Sequence, residues 1–143
     1  MSKSDAFEND LLKLIFNATP IANLADNAAS SPLTNLYLSL HTGDPGEAGT
    51  QSTNEVSYTG YARVAVIRTS AGWTVSGNAV SPTAPIEFGE MTDGSPGTAT
   101  HAAVGVLSTG AGKILYSGAL TPSIAYAVGV VPRLRETSTI TED

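Results

Sequence analysis

Only the first stretch of the chain repeats its apolar positions at helical spacing. Phe7, Leu11, Leu14 and Ile15 fall at i, i+4, i+7 and i+8, one face of a 3.6-residue helix, and Leu12 and Phe16 widen that face. Asp5 followed by Glu8 has capping-box spacing, which predicts an N-cap at Asp5, and Asn17 with Thr19-Pro20 ends the helix. A second short helical turn is expected over 21–28. After Ser30-Ser31-Pro32 the period changes to two. Leu36, Leu38 and Leu40 alternate with polar positions and predict a strand with three leucines inward. Residues 42–60 are polar and begin with Gly43-Asp44-Pro45-Gly46, a turn in which proline presets φ and glycine permits the left-handed region.

Strand patterns follow at short intervals. Residues 61–69 are rich in β-branched side chains. Residues 73–76 and 79–81 flank Gly77-Asn78, a two-residue hairpin signal. Pro82 and Pro85 limit 86–88 to a short edge strand. Three more strands are expected over 98–107, 113–119 and 124–131. Gly110-Ala111-Gly112 links the first two and a Thr121-Pro122-Ser123 turn links the last two. Residues 133–143 read as a polar extended tail. Seven or eight short strands after one helix, with no βαβ alternation, predict a mainly β chain: a jelly-roll-like antiparallel sandwich with an N-terminal α-helix. The organisation expected is a helical arm over 1–30, a sandwich over 31–132 and a tail over 133–143.

Composition narrows the function. The 143 residues suit one domain with a core of its own, and the absence of cysteine excludes disulfides and cysteine-held metal sites. Thirteen acids against seven Lys and Arg give a net charge of −6, which argues against a nucleic-acid or anionic-membrane partner. Only 14% of residues are charged, so the surface is polar but mostly neutral. Acids stand directly before the apolar stretch at the N-terminus, the reverse of a secretory signal. Residues 114–132 carry no charge, but Ser117, Gly118, Thr121, Pro122, Ser123 and Gly129 make a membrane helix an unsuitable reading and strands a better one.

The catalytic inventory is thin. His41 and His101 are the only histidines. The Gly105–Gly110 stretch departs from the nucleophile-elbow pattern because Val106 stands where a glycine is required. Gly110-Ala111-Gly112-Lys113 falls short of a phosphate loop, with Leu107 and Ile114 at two defining positions. His41 and Asp44, with His101 from a distant strand, make a poor zinc set, and Glu47, Glu90 and Asp93 show no ordered calcium spacing. A strand-end His41 bonded to turn backbone fits better. Few aromatics accompany the acids, which disfavours a carbohydrate-cleaving cleft. No catalytic, metal or cofactor site is assigned.

The run from Leu36 through Leu40-His41-Thr42, Asp44-Pro45-Gly46-Glu47 and Gly49-Thr50-Gln51 continues into Asn54-Glu55-Val56, Tyr58 and Gly60-Tyr61-Ala62-Arg63-Val64. This run resembles a family of small virion proteins of tailed bacteriophages and prophages. Ala6–Leu12 and Thr139–Asp143 are similar as well, so the resemblance spans most of the chain. Some relatives look like jelly-roll cement proteins that decorate capsids, as on a Bordetella short-tailed phage; others carry a tail-fibre label. The resemblance implies a non-enzymatic structural protein. A capsid cement protein on the capsid exterior is the first reading, made in the host cytoplasm and bound to the major capsid protein. A tail or tail-fibre component that binds a receptor is the second.

Contact residues are expected in three places. The helix stripe of Phe7, Leu11, Leu14 and Ile15 either packs on its own domain or docks on a second copy in a homodimer. The long loop supplies Asp44, Pro45 and Gly46 at its turn and Tyr58, Tyr61 and Arg63 at its end, where the Arg63 fork suits a carboxylate, with Glu47 and Glu55 the nearby intramolecular choices. The tail supplies Arg133 and Arg135. The loop is expected to be an interaction element, ordered by a partner or by self-packing, from which 49–53 can be removed without loss of the isolated fold.

Overall fold

A computed structural model of the chain describes residues 3–21 and 32–142. The helical turn expected over 21–28 lies, beyond Ile21, outside the described residues. The protein is mainly β and antiparallel with one N-terminal helix, consistent with a β sandwich. It forms two compact units: Met1–Asn35, Val66–Pro85 and Arg135–Asp143 in the first, and Leu36–Ala65 and Ile86–Leu134 in the second.

The first unit holds helix α1 (Asp5–Asn17) and strands β3 (Trp73–Ser76), β4 (Ala79–Pro82) and β9 (Ile140–Thr141). The N-cap is Ser4, one residue before the expected Asp5. Ser4 is extended (φ −84°, ψ 150°) and its Oγ accepts from the Phe7 N–H at 3.4 Å. Asp5 and Glu8 therefore sit inside the first turn, where their charge suits the helix dipole. Ala18 ends the helix in the left-handed region (φ 53°), and the Thr19 N–H bonds the Lys13 carbonyl at 3.1 Å. No basic residue lies in the last turn. Arg68 supplies that charge from a distant position, donating to the Leu14 carbonyl at 2.7 Å and to those of Ile15 and Leu33.

The helix packs on β3 and β4 through Glu8, Leu12 and Phe16, with the last two fully buried. This line differs from the expected stripe: Leu11, Leu14 and Ile15 are half-buried, and Phe7 is exposed. Each of Glu8, Leu12 and Phe16 lies four residues from the next, so they stack on one side of the helix. Phe16 meets Trp73 edge-on, ring centroids 4.7 Å apart. The β3–β4 hairpin turns on Gly77-Asn78 as the dipeptide predicts, with Ser76 opposite Ala79 and Gly77 at φ 59°. Strand β9 adds to β4, with Ile140 opposite Val80, so part of the expected tail is paired sheet.

The second unit is built on β1 (Asn35–His41), β6 (Gly97–Gly105) and β7 (Ile114–Tyr126), in a sheet of order β2-β1-β6-β7. Strand β2 (Val64–Ile67) begins in this unit and ends in the first. A separate pair joins β5 (Ile86–Glu87) to β8 (Arg133–Leu134). Leu36, Leu38 and Leu40 point inward as expected, but the opposite face of β1 is buried too, through Ser39 and His41.

Two strand expectations change. The strand expected over 61–69 shrinks to β2, because the Tyr61 N–H closes a turn onto the Tyr58 carbonyl at 3.1 Å. The two strands expected over 113–119 and 124–131 are one continuous β7, and the chain does not reverse at Thr121-Pro122-Ser123. Strand β6 pairs with both halves: His101 faces Ala119 and Ala99 faces Ile124, so Leu120–Ser123 bulge opposite Thr100. The bulge takes up the proline, which has no N–H to give a regular ladder, and the Thr121–Pro122 bond is cis. Residues 127–130 form a turn, the Val130 N–H bonding the Ala127 carbonyl at 2.9 Å.

Candidate functional site

The main run that carries the resemblance lies on the segment from β1 to β2, and the structure shows what that segment does. Backbone bonds pin it at three points: Thr42 N–H to Asn54 O at 2.8 Å, Val56 N–H to Leu40 O at 2.9 Å and Gln51 N–H to Gly112 O at 2.9 Å. Thr50 also bridges to Lys113. The loop is ordered by self-packing.

Its centre is Gln51, which is fully buried. The side-chain Oε1 accepts from the N–H groups of Val106 and Leu107 at 3.1 and 2.9 Å, and Nε2 donates to the Leu107 carbonyl at 3.2 Å. One amide thus satisfies the backbone where β6 leaves the ladder. Gly105 and Gly112 make room for it: a Cβ on either would stand 2.1 Å from a Gln51 side-chain atom. Removing 49–53, expected to spare the isolated fold, removes this bridge, so the segment is structural.

Arg63 closes the same region. Its Nε and Nη2 grip the Glu55 carboxylate at 2.7 and 2.8 Å, and Nη1 and Nη2 reach the carbonyls of Leu107 and Gly110 at 3.0 and 2.7 Å. Of the two acids the sequence offered, Glu55 is the partner. The bond to Glu55 raises the Arg63 pKa above its ordinary value. The side chain is 3% exposed, so the fork serves the fold. The Tyr61 hydroxyl donates to Glu55 at 3.2 Å and accepts from the Leu40 N–H at 3.0 Å, and burial drives its pKa far up. Tyr58 donates to the Gly89 carbonyl at 2.7 Å. Its ring lies 5.5 Å from that of Tyr61 and 5.3 Å from that of Tyr126. Tyr58, Tyr61 and Arg63 therefore belong to one interior cluster.

Asp44, Pro45 and Gly46 form the outer turn of the loop. The Gly46 N–H bonds Asp44 Oδ1 at 2.8 Å, and Gly46 takes φ 69°. Asp44 and Gly46 are exposed while Pro45 is buried. Asn54 ties the turn down by donating to the Asp44 carbonyl at 3.0 Å. Of the tail residues, Arg133 pairs with Glu87 across β8 and β5, and both it and Arg135 are exposed.

Ser39 and His41 resemble a catalytic pair in geometry, and sequence spacing does not signal them. Ser39 Oγ and His41 Nε2 are 2.9 Å apart, and His41 Nδ1 lies 2.8 Å from the Thr53 carbonyl. A carbonyl only accepts, so Nδ1 carries the proton and Nε2 accepts from Ser39. Both residues are 0% exposed, so no substrate reaches them. Burial lowers the His41 pKa below 6.5, opposed in part by the Thr53 bond. His41 thus bonds turn backbone, as its strand-end position implies. Among the described residues no group of three or more acids and histidines could hold a metal ion, and no helix is long and apolar enough to cross a membrane.

The motif-rich segment is thus spent on self-packing, on a mainly β chain with one helix. The chain belongs to the family described as Podophage GP4 fiber I protein gp80, which it matches over residues 2–141. It is a phage structural protein, and its family is one of virion components. The fibre in that description favours the tail-fibre reading over the capsid-cement reading placed first on resemblance. No curated protein matches the chain.

Proposed function

We propose that the chain is a non-enzymatic structural component of a short-tailed phage's fibre. The family match across nearly the whole chain carries this reading, since the family is described as a fibre protein. The loop geometry supports it. Gln51, Glu55, Tyr61 and Arg63 are occupied by one another and by backbone, so the polar groups that would draw attention as chemistry act as fasteners. The net charge of −6 supports protein partners over nucleic acid. Asp44 and Gly46, exposed on either side of the buried Pro45, offer a contact point that an ordered loop presents without an ordering cost.

The test is the place and number of copies in the virion. Labelled antibody against the chain should mark the tail region of purified particles, and quantitative mass spectrometry should find a small number of copies relative to the major capsid protein. Labelling over the whole head shell, with copies comparable to the capsid protein, would replace the fibre reading with capsid cement.

A further inference from the structure

Strand β7 is the last in its sheet, and no further strand pairs with it among the described residues. Its residues 117–119, 121–123 and 125 are exposed. Natural edge strands are usually guarded by charged side chains, above all lysine, which prevent another strand from adding on. Residues 114–132 contain no charge at all. On a chain with a net charge of −6, two copies repel one another over most of their surface, and this edge is where that repulsion is least.

We propose that the outer edge of β7 pairs with the same edge of a second copy of this chain, antiparallel about Ser117. The pairable window has clear ends. Lys113 has Val106 on its β6 side, so Thr50 occupies the other side and covers the strand's entry. The Leu120–Ser123 bulge with Pro122 breaks the regular edge beyond Ala119. The window is therefore 115–119, and its midpoint is Ser117. A two-fold axis there sets Leu115 against the partner's Ala119 and Tyr116 against the partner's Gly118. A Cβ built on Gly118 meets nothing within 4 Å, so the site has room for an aromatic ring from across the pair. Each copy uses the same β7 edge, so the contact is isologous and closes at two chains. The pairing does not depend on where in the virion the protein resides.

The absence of cysteine makes the test direct. Directly opposed residues of an antiparallel pair have Cα atoms about 4.5–5.5 Å apart, within disulfide range. The full chain should sediment as a dimer. Ser117→Cys should give a disulfide-linked dimer under mild oxidation, while Ser70→Cys, exposed in the other unit, should not. The double variant Ser117→Lys with Ala119→Lys should sediment as a single chain with its β circular-dichroism signal kept. A monomeric wild type, a lysine variant of unchanged mass, or equal cross-linking of the two cysteine variants overturns the proposal.

Discussion

Gln51 acts through neutrality and shape. Its amide offers an acceptor and a donor at once, and the β6–β7 connection needs both. In Gln51→Ala the Leu107 N–H loses its partner, while the Val106 N–H keeps the Lys113 carbonyl and the Leu107 carbonyl keeps Arg63. A group left unpaired costs about 1–3 kcal/mol, so a loss of that size is expected, read from urea unfolding. His41 makes a second residue-scale prediction. Its folded pKa is depressed below 6.5, so the unfolded chain binds this proton more readily than the folded one. Its contribution to stability is complete above that value and is lost as pH falls through the folded pKa. Urea midpoints should therefore drop between about pH 7.5 and about pH 5, and His41→Gln should flatten that slope relative to wild type. An equal slope in both proteins would assign the pH dependence to other groups. The turn-backbone bond of His41 is legible from its strand-end position, but its complete burial is not, and the role of Gln51 is not legible at all. Gln51 is one more polar residue in a polar loop until Gly105 and Gly112 are brought to it.

At the scale of elements, α1 shows how far periodicity reaches. The 3.6-residue repeat places the helix and its end correctly. It cannot choose among adjacent apolar lines when six apolar positions cover more than half the circumference. Packing on β3 and β4 chooses Leu12 and Phe16. The C-terminal end is an expensive closure, because Ala18 holds a left-handed conformation that costs a non-glycine residue about 1–2 kcal/mol. Glycine gives back part of that gain in unfolded-chain entropy, so Ala18→Gly should stabilise the protein by about 0.5–1 kcal/mol. A thermal midpoint that fails to rise would show that the left-handed residue carries no strain here. Strand β7 is the opposite case. Thr-Pro-Ser is a good turn signal, and local chemistry alone predicts reversal. The length of β6 overrides it by offering ladder positions on both sides of the proline.

For the whole molecule, the sparse charge and absent cysteine bear on assembly more than on fold. They leave a long uncharged edge in a chain that otherwise repels its copies, and the absence of cysteine makes the Ser117 cross-link a clean measurement. The class was legible from residue pattern and motif: helix first, then antiparallel strands, the Gly77-Asn78 hairpin, the inward leucines of β1 and a phage structural lineage. Those features depend on neighbours a few residues apart, or on a motif conspicuous as written. Folding alone reveals that the loop is interior fastening, that Arg63 holds Glu55, that Arg68 caps a helix more than fifty positions away and that β7 continues past its proline through a bulge. Each of those joins residues far apart in the chain, and the free energy of such a contact exists only once folding has brought both ends together.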